Sequence, residues 1–220
     1  MTMVVYGAAL SPFVRKVRVV LAEKKLPYEQ VEINPFALPP DYEQLNPLKR
    51  VPAFKDGDLT LADSGVIGIY LEKKYPHPAL VPNDPYLAAR VAWFEKYADY
   101  ELAPQVTFTV FRNRVVKRFG GKPSDEEAVK ACITEKLPVY LDYLEKELGE
   151  QQYIVNNEFS LADIAIATQF ANFKYGAETI DASRWPKMAA YIERLHARDS
   201  FAPLLERELG FINKIFSRQK

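Results

Sequence analysis

The stretch PHPALVPNDP, residues 76–85, holds four prolines. Each lacks a backbone N–H and has a fixed φ, so neither a helix nor a central strand can run through it. The character of the chain changes there. Before it, short apolar runs alternate with helical spacing; after it, the helical period alone persists. The stretch is therefore the natural linker, and a two-domain organisation follows. The first domain is expected over residues 1–79 and the second over 85–220.

The first part opens with TMVVY, residues 2–6, an apolar run of strand type closed by Gly7. Ser11 and Pro12 then supply an N-cap and an N1 proline. Val14, Val17 and Leu21 follow at helical spacing, with Arg15, Lys16 and Arg18 on other faces, and Leu26-Pro27 ends the helix. The alternation from Tyr28 to Ile33 reads as a second strand. A proline-rich connection frames one short helical turn near Asp41 to Leu45. VPAFKDGDLTL, residues 51–61, reads as a hairpin turning at Asp56-Gly57. A helix resumes near Ser64. The order β-α-β then β-β-α makes a small mixed sheet with helices packed on it, its βαβ crossover right-handed.

In the second part, Leu87, Val91, Phe94 and Ala98 form one apolar stripe, and Val129, Ile133, Leu137, Tyr140, Leu144 and Leu148 form another. Pro104 and Pro138 fall inside these patterns and are expected to kink or break their helices. VTFTVFRNRVV, residues 106–116, alternates like a strand, but its helical surroundings favour helix. FSLADIAIATQFANF places Ser160 and Asp163 at capping-box spacing, with Phe159 and Ile164 at the staple positions. That helix is apolar nearly all round, which marks a core helix and gives the box a structural role.

Composition narrows the functional classes. The chain has 220 residues, with 29 Lys+Arg against 29 Asp+Glu, so it lacks the cationic excess that nucleic-acid phosphates require. The basic cluster Arg112, Arg114, Lys117, Arg118 and Lys122 reads as a solvated helix face. A single cysteine, Cys132, precludes an internal disulfide and fits a reducing compartment. No run approaches the ~18 apolar residues of a membrane span, and the N-terminal run lacks a basic flank, so a cytoplasmic location is expected. His77 and His196 are isolated from any carboxylate or cysteine at metal-ligand spacing, so no metal is expected. No phosphate loop or nucleophile-elbow motif is present.

A serine at the first helix, VP before the third strand, ADS before the third helix, and SLAD in an all-helical partner domain stand together in order. This arrangement resembles the cytosolic glutathione transferases, whose thioredoxin-like domain precedes a helical bundle, and the resemblance covers essentially the whole chain. SPFVRKVR is similar to the serine motif of the tau, phi and zeta classes. NPLKRVPAFKDGDLTLADS is most similar to the theta class. No class is matched cleanly, which suggests an unclassified member of bacterial type.

The resemblance implies that Ser11 hydrogen-bonds the glutathione sulfur as the catalytic hydroxyl. Val51, before a Pro52 expected to be cis, would pair with the cysteinyl part. Asp63 and Ser64 would hold the γ-glutamyl end, and Arg50 could reach the glycyl carboxylate. It also implies a homodimer built on helices near 64–75 and 86–103. The implied activity is conjugation of glutathione to hydrophobic electrophiles, with peroxide reduction as a second activity. The opposing reading is a non-catalytic interaction module, since fold alone does not fix function.

The residue chemistry agrees with the implied roles. A helix N-terminus at Ser64 suits a carboxylate. Asp63 can answer an ammonium and Arg50 a carboxylate. Ser11 is open to two readings, a simple N-cap or a donor that stabilises a thiolate at a helix N-terminus. Tyr6 is its nearest rival, although its place on the strand favours core packing. The connection NPFALPPDYEQL, residues 34–45, lacks the His or Lys that several classes place there for the glycyl carboxylate. Candidate walls of the electrophile pocket, expected between the domains, are Phe13, Phe36, Tyr97, Tyr100, Phe108 and Phe111.

Overall fold

The computed structural model describes residues 2–217. Two compact units divide at residue 82/83. Up to Pro82 the chain forms strand β1 (Met3–Tyr6), helix α1 (Pro12–Glu23), β2 (Tyr28–Val31), β3 (Ala53–Asp56), β4 (Leu59–Ala62) and helix α2 (Ser64–Lys74), with one 3₁₀ turn at Tyr42–Gln44. The sheet order is β2-β1-β3-β4. β1 pairs parallel with β2 and antiparallel with β3, and β3 pairs antiparallel with β4. Tyr6 lies opposite both Val31 and Ala53, and Ala53 lies opposite Ala62. Val5, Val14, Val17, Leu21, Phe54, Ile67 and Leu71 are all buried, which joins the sheet to both helices in one core.

The local forms differ from the sequence reading in small ways. β2 stops at Val31, because Glu32 leaves the ladder and its carboxylate accepts the Ala9 N–H at 3.0 Å. The hairpin turns at Gly57-Asp58 rather than Asp56-Gly57, since Asp56 pairs with Leu59 and Gly57 takes φ +62°. A two-residue connection of this kind needs positive φ, which glycine accepts freely. Arg15 and Lys16, read as lying off the apolar face of α1, are fully buried.

From Asn83 onward the unit is helical. Helix α3 (Pro85–Tyr97) continues through a π-wound segment, Ala98–Val116, into α4 (Lys117–Phe119). Residues 106–116 are thus helical. Pro104 neither breaks nor ends the rod. Wider π winding relieves the clash of its ring with the preceding turn, and the Thr109 hydroxyl donates to the Pro104 carbonyl at 2.8 Å. A second π segment, Cys132–Lys136, joins α5 (Glu126–Ala131) to α6 (Leu137–Leu148). Pro138 falls in the first turn of α6, where a missing N–H costs little.

Helix α7 (Leu161–Tyr175) runs through the middle of this unit and is buried at every position but Lys174. α8 (Pro186–His196) and α9 (Ala202–Ser217) complete it. No helix among the described residues is long and apolar enough to cross a membrane.

The start of α7 is fixed by one buried carboxylate. Asp163 Oδ2 accepts the Ser160 N–H at 2.8 Å and its O–H at 2.9 Å, while Oδ1 accepts the Ile154 N–H at 3.0 Å and the Tyr191 O–H at 2.7 Å. Burial pushes the Asp163 carboxyl above its usual range, and these four donors oppose that shift. The same burial drives the Tyr191 phenol upward, which keeps it a neutral donor. Asp163→Ala would strand several buried donors at about 1–3 kcal/mol each, a fall in Tm of roughly 10 °C for a chain of this size. Tyr191→Phe removes one donor and should cost about 1 kcal/mol. Thermal melts of the two variants check this, and equal shifts would contradict the shared carboxylate.

Candidate functional site

The sheet topology brings four strand ends, and with them three connections, to one end. β1, β2 and β4 finish there, at Tyr6, Val31 and Ala62, and antiparallel β3 begins there, at Ala53. The segments carrying Ser11, Phe36, Arg50 to Pro52, and Asp63-Ser64 therefore all leave or enter the sheet at that end.

Ser11 sits at the N-cap of α1 in extended conformation, φ −70° and ψ 126°. Its Oγ accepts the Val14 N–H at 3.4 Å, a long bond for a cap. A hydroxyl has two lone pairs and one donor. Capping uses a lone pair and leaves the O–H for another group, so the two sequence readings of Ser11 are compatible. The loop before it is held by side chains that the sequence reading passed over. Gln30 Nε2 donates to the Gly7 carbonyl at 3.2 Å, and Glu32 takes the Ala9 N–H.

Gly7 is the point of closest approach. A Cβ there would stand 2.4 Å from Val14 Cγ2 and 3.2 Å from the Val51 Cβ. Glycine at this position lets the first turn of α1 and the residue before Pro52 close on either side of the strand end. The Val51–Pro52 bond is cis. Val51 is half-buried, Pro52 buried and Arg50 exposed.

Two further residues hold this turn. The Arg50 carbonyl accepts Asn46 Nδ2 at 2.7 Å and the Tyr42 hydroxyl at 3.0 Å, and Asn46 Oδ1 accepts the Leu48 N–H at 3.0 Å. Tyr42 and Asn46 are both buried. Burial pushes the Tyr42 phenol up to about 12, so it remains a donor. The sequence reading passed over Asn46, which the Asn-Pro pair at 46–47 could have marked as a turn residue. Tyr6 packs against the cluster of Ile33, Tyr42 and Ala53, as its strand position suggested.

Asp63 is the N-cap of α2, with φ +74° and ψ 128°. That backbone lies outside the left-handed basin and costs about 1–3 kcal/mol, strain of a kind that collects at functional sites. Its Oδ1 accepts the N–H groups of Gly65 at 2.9 Å and Val66 at 3.2 Å. Ser64, the first residue of the helix, is 2% exposed. Among the described residues its Oγ has no hydrogen-bond partner. A buried hydroxyl left this way is costly in the free protein.

The aromatic candidates are dispersed. Phe13 is half-buried, and Phe36 is 72% exposed on the 34–45 connection. Tyr97 packs with Trp93, Tyr140 and Tyr143 and donates to the Tyr140 carbonyl at 3.3 Å. Burial raises its phenol strongly. Tyr100 and Phe108 are exposed, whereas Phe111 is buried against Tyr175. A groove of ≈ 470 Å³ in the helical unit is lined by Asn113, Arg114, Ser124 and Tyr175 among others. Those four are already engaged. Arg114 bonds Glu126, Glu178 and the Gly176 carbonyl, Asn113 spans Thr109 and Asp125, Ser124 meets Glu126, and Tyr175 meets Glu208.

A mixed four-stranded sheet with a serine-capped helix, a cis-proline turn and a strained Asp-Ser helix start defines a thioredoxin-like unit ahead of a helical one. Residues 5–79 match the family model "Glutathione S-transferase, N-terminal domain", and residues 111–208 match "Glutathione S-transferase, C-terminal domain". The chain belongs to the glutathione S-transferase family. A glutathione S-transferase of Triticum aestivum is 32% identical over 202 residues, 88% of this chain and 86% of that one. A stringent starvation protein A homologue of Haemophilus influenzae is 30% identical, covering 86% of this chain and 83% of its own.

Among solved structures, a glutathione S-transferase from Rhodospirillum rubrum F11 has TM-score 0.84 and 27% identity, covering 92% of this chain and 91% of its own. One from Methylobacterium radiotolerans, in complex with glutathione sulfonate, has TM-score 0.76 and 29% identity, covering 93% and 95%.

Asn46→Ala removes both the acceptor for the Leu48 N–H and a donor to the Arg50 carbonyl, and should cost about 1–3 kcal/mol, more than Tyr42→Phe at about 1 kcal/mol. Because both donors serve one carbonyl, the double variant should depart from additivity in a thermal-melt cycle.

Proposed function

We propose that this chain transfers the glutathione thiolate to apolar electrophiles. The first unit holds glutathione and the helical unit supplies apolar surface for the electrophile. The observation that carries the reading is the buried Ser64 hydroxyl, without a partner among the described residues, beside Asp63 at the tip of α2. That helix tip is suited to the α-carboxylate of the γ-glutamyl group, through the Ser64 O–H and the positive end of the helix. Asp63 spends one oxygen on capping, and its other oxygen can answer the α-ammonium.

Val51 offers its backbone at the strand end for the cysteinyl part, and Arg50, exposed, can meet the glycyl carboxylate. Ser11 donates its O–H to the sulfur anion while its lone pair caps α1. The thiol proton leaves to solvent, the thiolate sulfur forms the new C–S bond, and the electrophile's leaving group departs with the bonding pair. Of the aromatic candidates, Phe13, Phe36, Tyr100 and Phe108 remain as pocket walls. Tyr97 and Phe111 brace the helical unit from within. Peroxide reduction is a second activity open to the same thiolate, and the working form is a homodimer.

A second reading has its own support. The likeness to a stringent starvation protein A homologue is nearly as high as that to the wheat transferase. An interaction module on the same fold would show no saturable heat with millimolar glutathione in calorimetry.

Ser64→Ala separates the two readings. The free variant should melt at or slightly above the wild type, since a stranded hydroxyl is removed. Its glutathione Kd should rise roughly 10- to 100-fold, the value of a hydrogen bond to a charged group. An unchanged Kd would remove Ser64 from the site.

Ser11→Ala should act on the rate. The bound thiol pKa should rise, because the anion loses a donor that the neutral thiol hardly used. The plateau of the pH–rate profile then shifts to higher pH, while KM for glutathione changes less than kcat. Loss of the cap costs about 0.5–2 kcal/mol, which a parallel melt measures. A wild-type rate with an unshifted profile would leave Ser11 a cap alone.

A further inference from the structure

The far ends of the two helices that carry Ser11 and Ser64 are tied by one buried ion pair. Lys24, at the C-cap of α1, has a side chain with no exposed surface. Its ammonium meets Glu72 Oε2 at 2.7 Å, the Tyr75 carbonyl at 2.7 Å and the Pro78 carbonyl at 2.8 Å. Three N–H donors thus face three acceptors, a saturated arrangement for a lysine. Glu72, on the last turns of α2, is also engaged on its other side. Its Oε1 accepts the N–H groups of Leu80 at 3.1 Å and Val81 at 3.3 Å. The proline-rich segment after α2 is therefore not a slack tether over residues 75–81. It is hydrogen-bonded into the first unit by a lysine from α1 and a glutamate from α2.

We infer that Lys24 and Glu72 are a positioning pair for the glutathione site: by pinning α1 to α2 at their C-terminal ends, they fix the separation of Ser11 and Ser64 at the N-terminal ends. The lever is long. From Ser11 to Lys24 the helix runs about 20 Å, at 1.5 Å per residue. Packed helices transmit a displacement along their length, because close-packed interiors yield little. The tie also has an all-or-none character, since removing one partner strands the other charge in a buried site. The inference rests on glutathione binding at Ser11 and Ser64. What it adds is that the reach between the anchored γ-glutamyl end and the reacting sulfur is set remotely. A misplacement near 1 Å at a reacting group lowers turnover by roughly a hundredfold, so a loosened pin need not unfold the unit to be felt.

The test uses Lys24→Met beside the double variant Lys24→Met/Glu72→Leu. Apolar replacement of both partners is the form that tolerates burial, which keeps a folded protein available if the single variant fails to fold. Circular dichroism and melting establish folding, and hydrogen exchange at the Leu80 and Val81 amides reports release of the pinned segment. Kinetics then follow with a generic aromatic electrophile, with glutathione varied up to saturation.

The folded double variant should show accelerated exchange at Leu80 and Val81. Its kcat should fall roughly ten- to a hundredfold, and its thiol pKa should move upward as in Ser11→Ala although Ser11 is in place. Its KM for glutathione should move less, because Ser64 and Asp63 still anchor the γ-glutamyl end. Wild-type kcat and an unshifted pH profile in the folded variant would reduce the pair to a fold brace and overturn the inference. A wild-type protein that fails to bind glutathione overturns the site reading and this inference together, which separates the two failures.

Discussion

The reversal of β3 against β1 is the constraint on which the candidate site depends. With β1, β2 and β4 running one way and β3 the other, the register Tyr6–Ala53–Ala62 lines up three strand ends. The turn into α1, the turn into β3 and the turn into α2 are thereby neighbours without any side chain having to reach across the sheet. Gly7 makes the closest of these approaches possible, since any Cβ there would collide with Val14. A parallel β3 would have placed Val51-Pro52 at the opposite end, several residues away at ~3.3 Å each.

Capping chemistry is used twice at this end, and each time it leaves a group unspent. Ser11 caps α1 with a lone pair and keeps its proton. Asp63 caps α2 with one oxygen and keeps the other, while its unusual backbone sets Ser64 at the helix tip with a hydroxyl that no group among the described residues satisfies. The stabilising and the ligand-directed uses of these residues draw on different atoms, so neither has to be given up for the other. The energetic burden falls on the free protein, as backbone strain at Asp63 and an unmade hydrogen bond at Ser64.

The helical unit is organised by a different device. Asp163 gathers four donors from three chain segments around the start of α7. A fully satisfied buried carboxylate of this kind fixes register and orientation more sharply than apolar packing alone. The π-wound stretch Ala98–Val116 serves the same end by accommodating Pro104 in place. It lets the rod from Pro85 to Phe119 stay continuous instead of breaking at Pro104.

Periodicity and capping signals in the sequence were enough for the order of strands and helices up to the linker, the change of character near residue 80, the N-caps at Ser11 and Ser160, and the core role of α7. These are local quantities: spacing of apolar residues, a proline's missing N–H, a hydroxyl before a helix. In their order along the chain, the motifs also carried the family resemblance. Only the tertiary structure decided that the caps at Ser11 and Asp63 share one end of a sheet, because register and strand direction are set by pairing partners far apart in sequence. It also decided that Asn46 and Tyr42 hold the Arg50 carbonyl, that Arg15 and Lys16 are buried, and that Lys24 and Glu72 reach the segment after α2. A lysine or asparagine in a linear string looks solvated. Its burial depends on whether distant carbonyls and carboxylates converge to replace water, and that convergence exists only once the chain has folded.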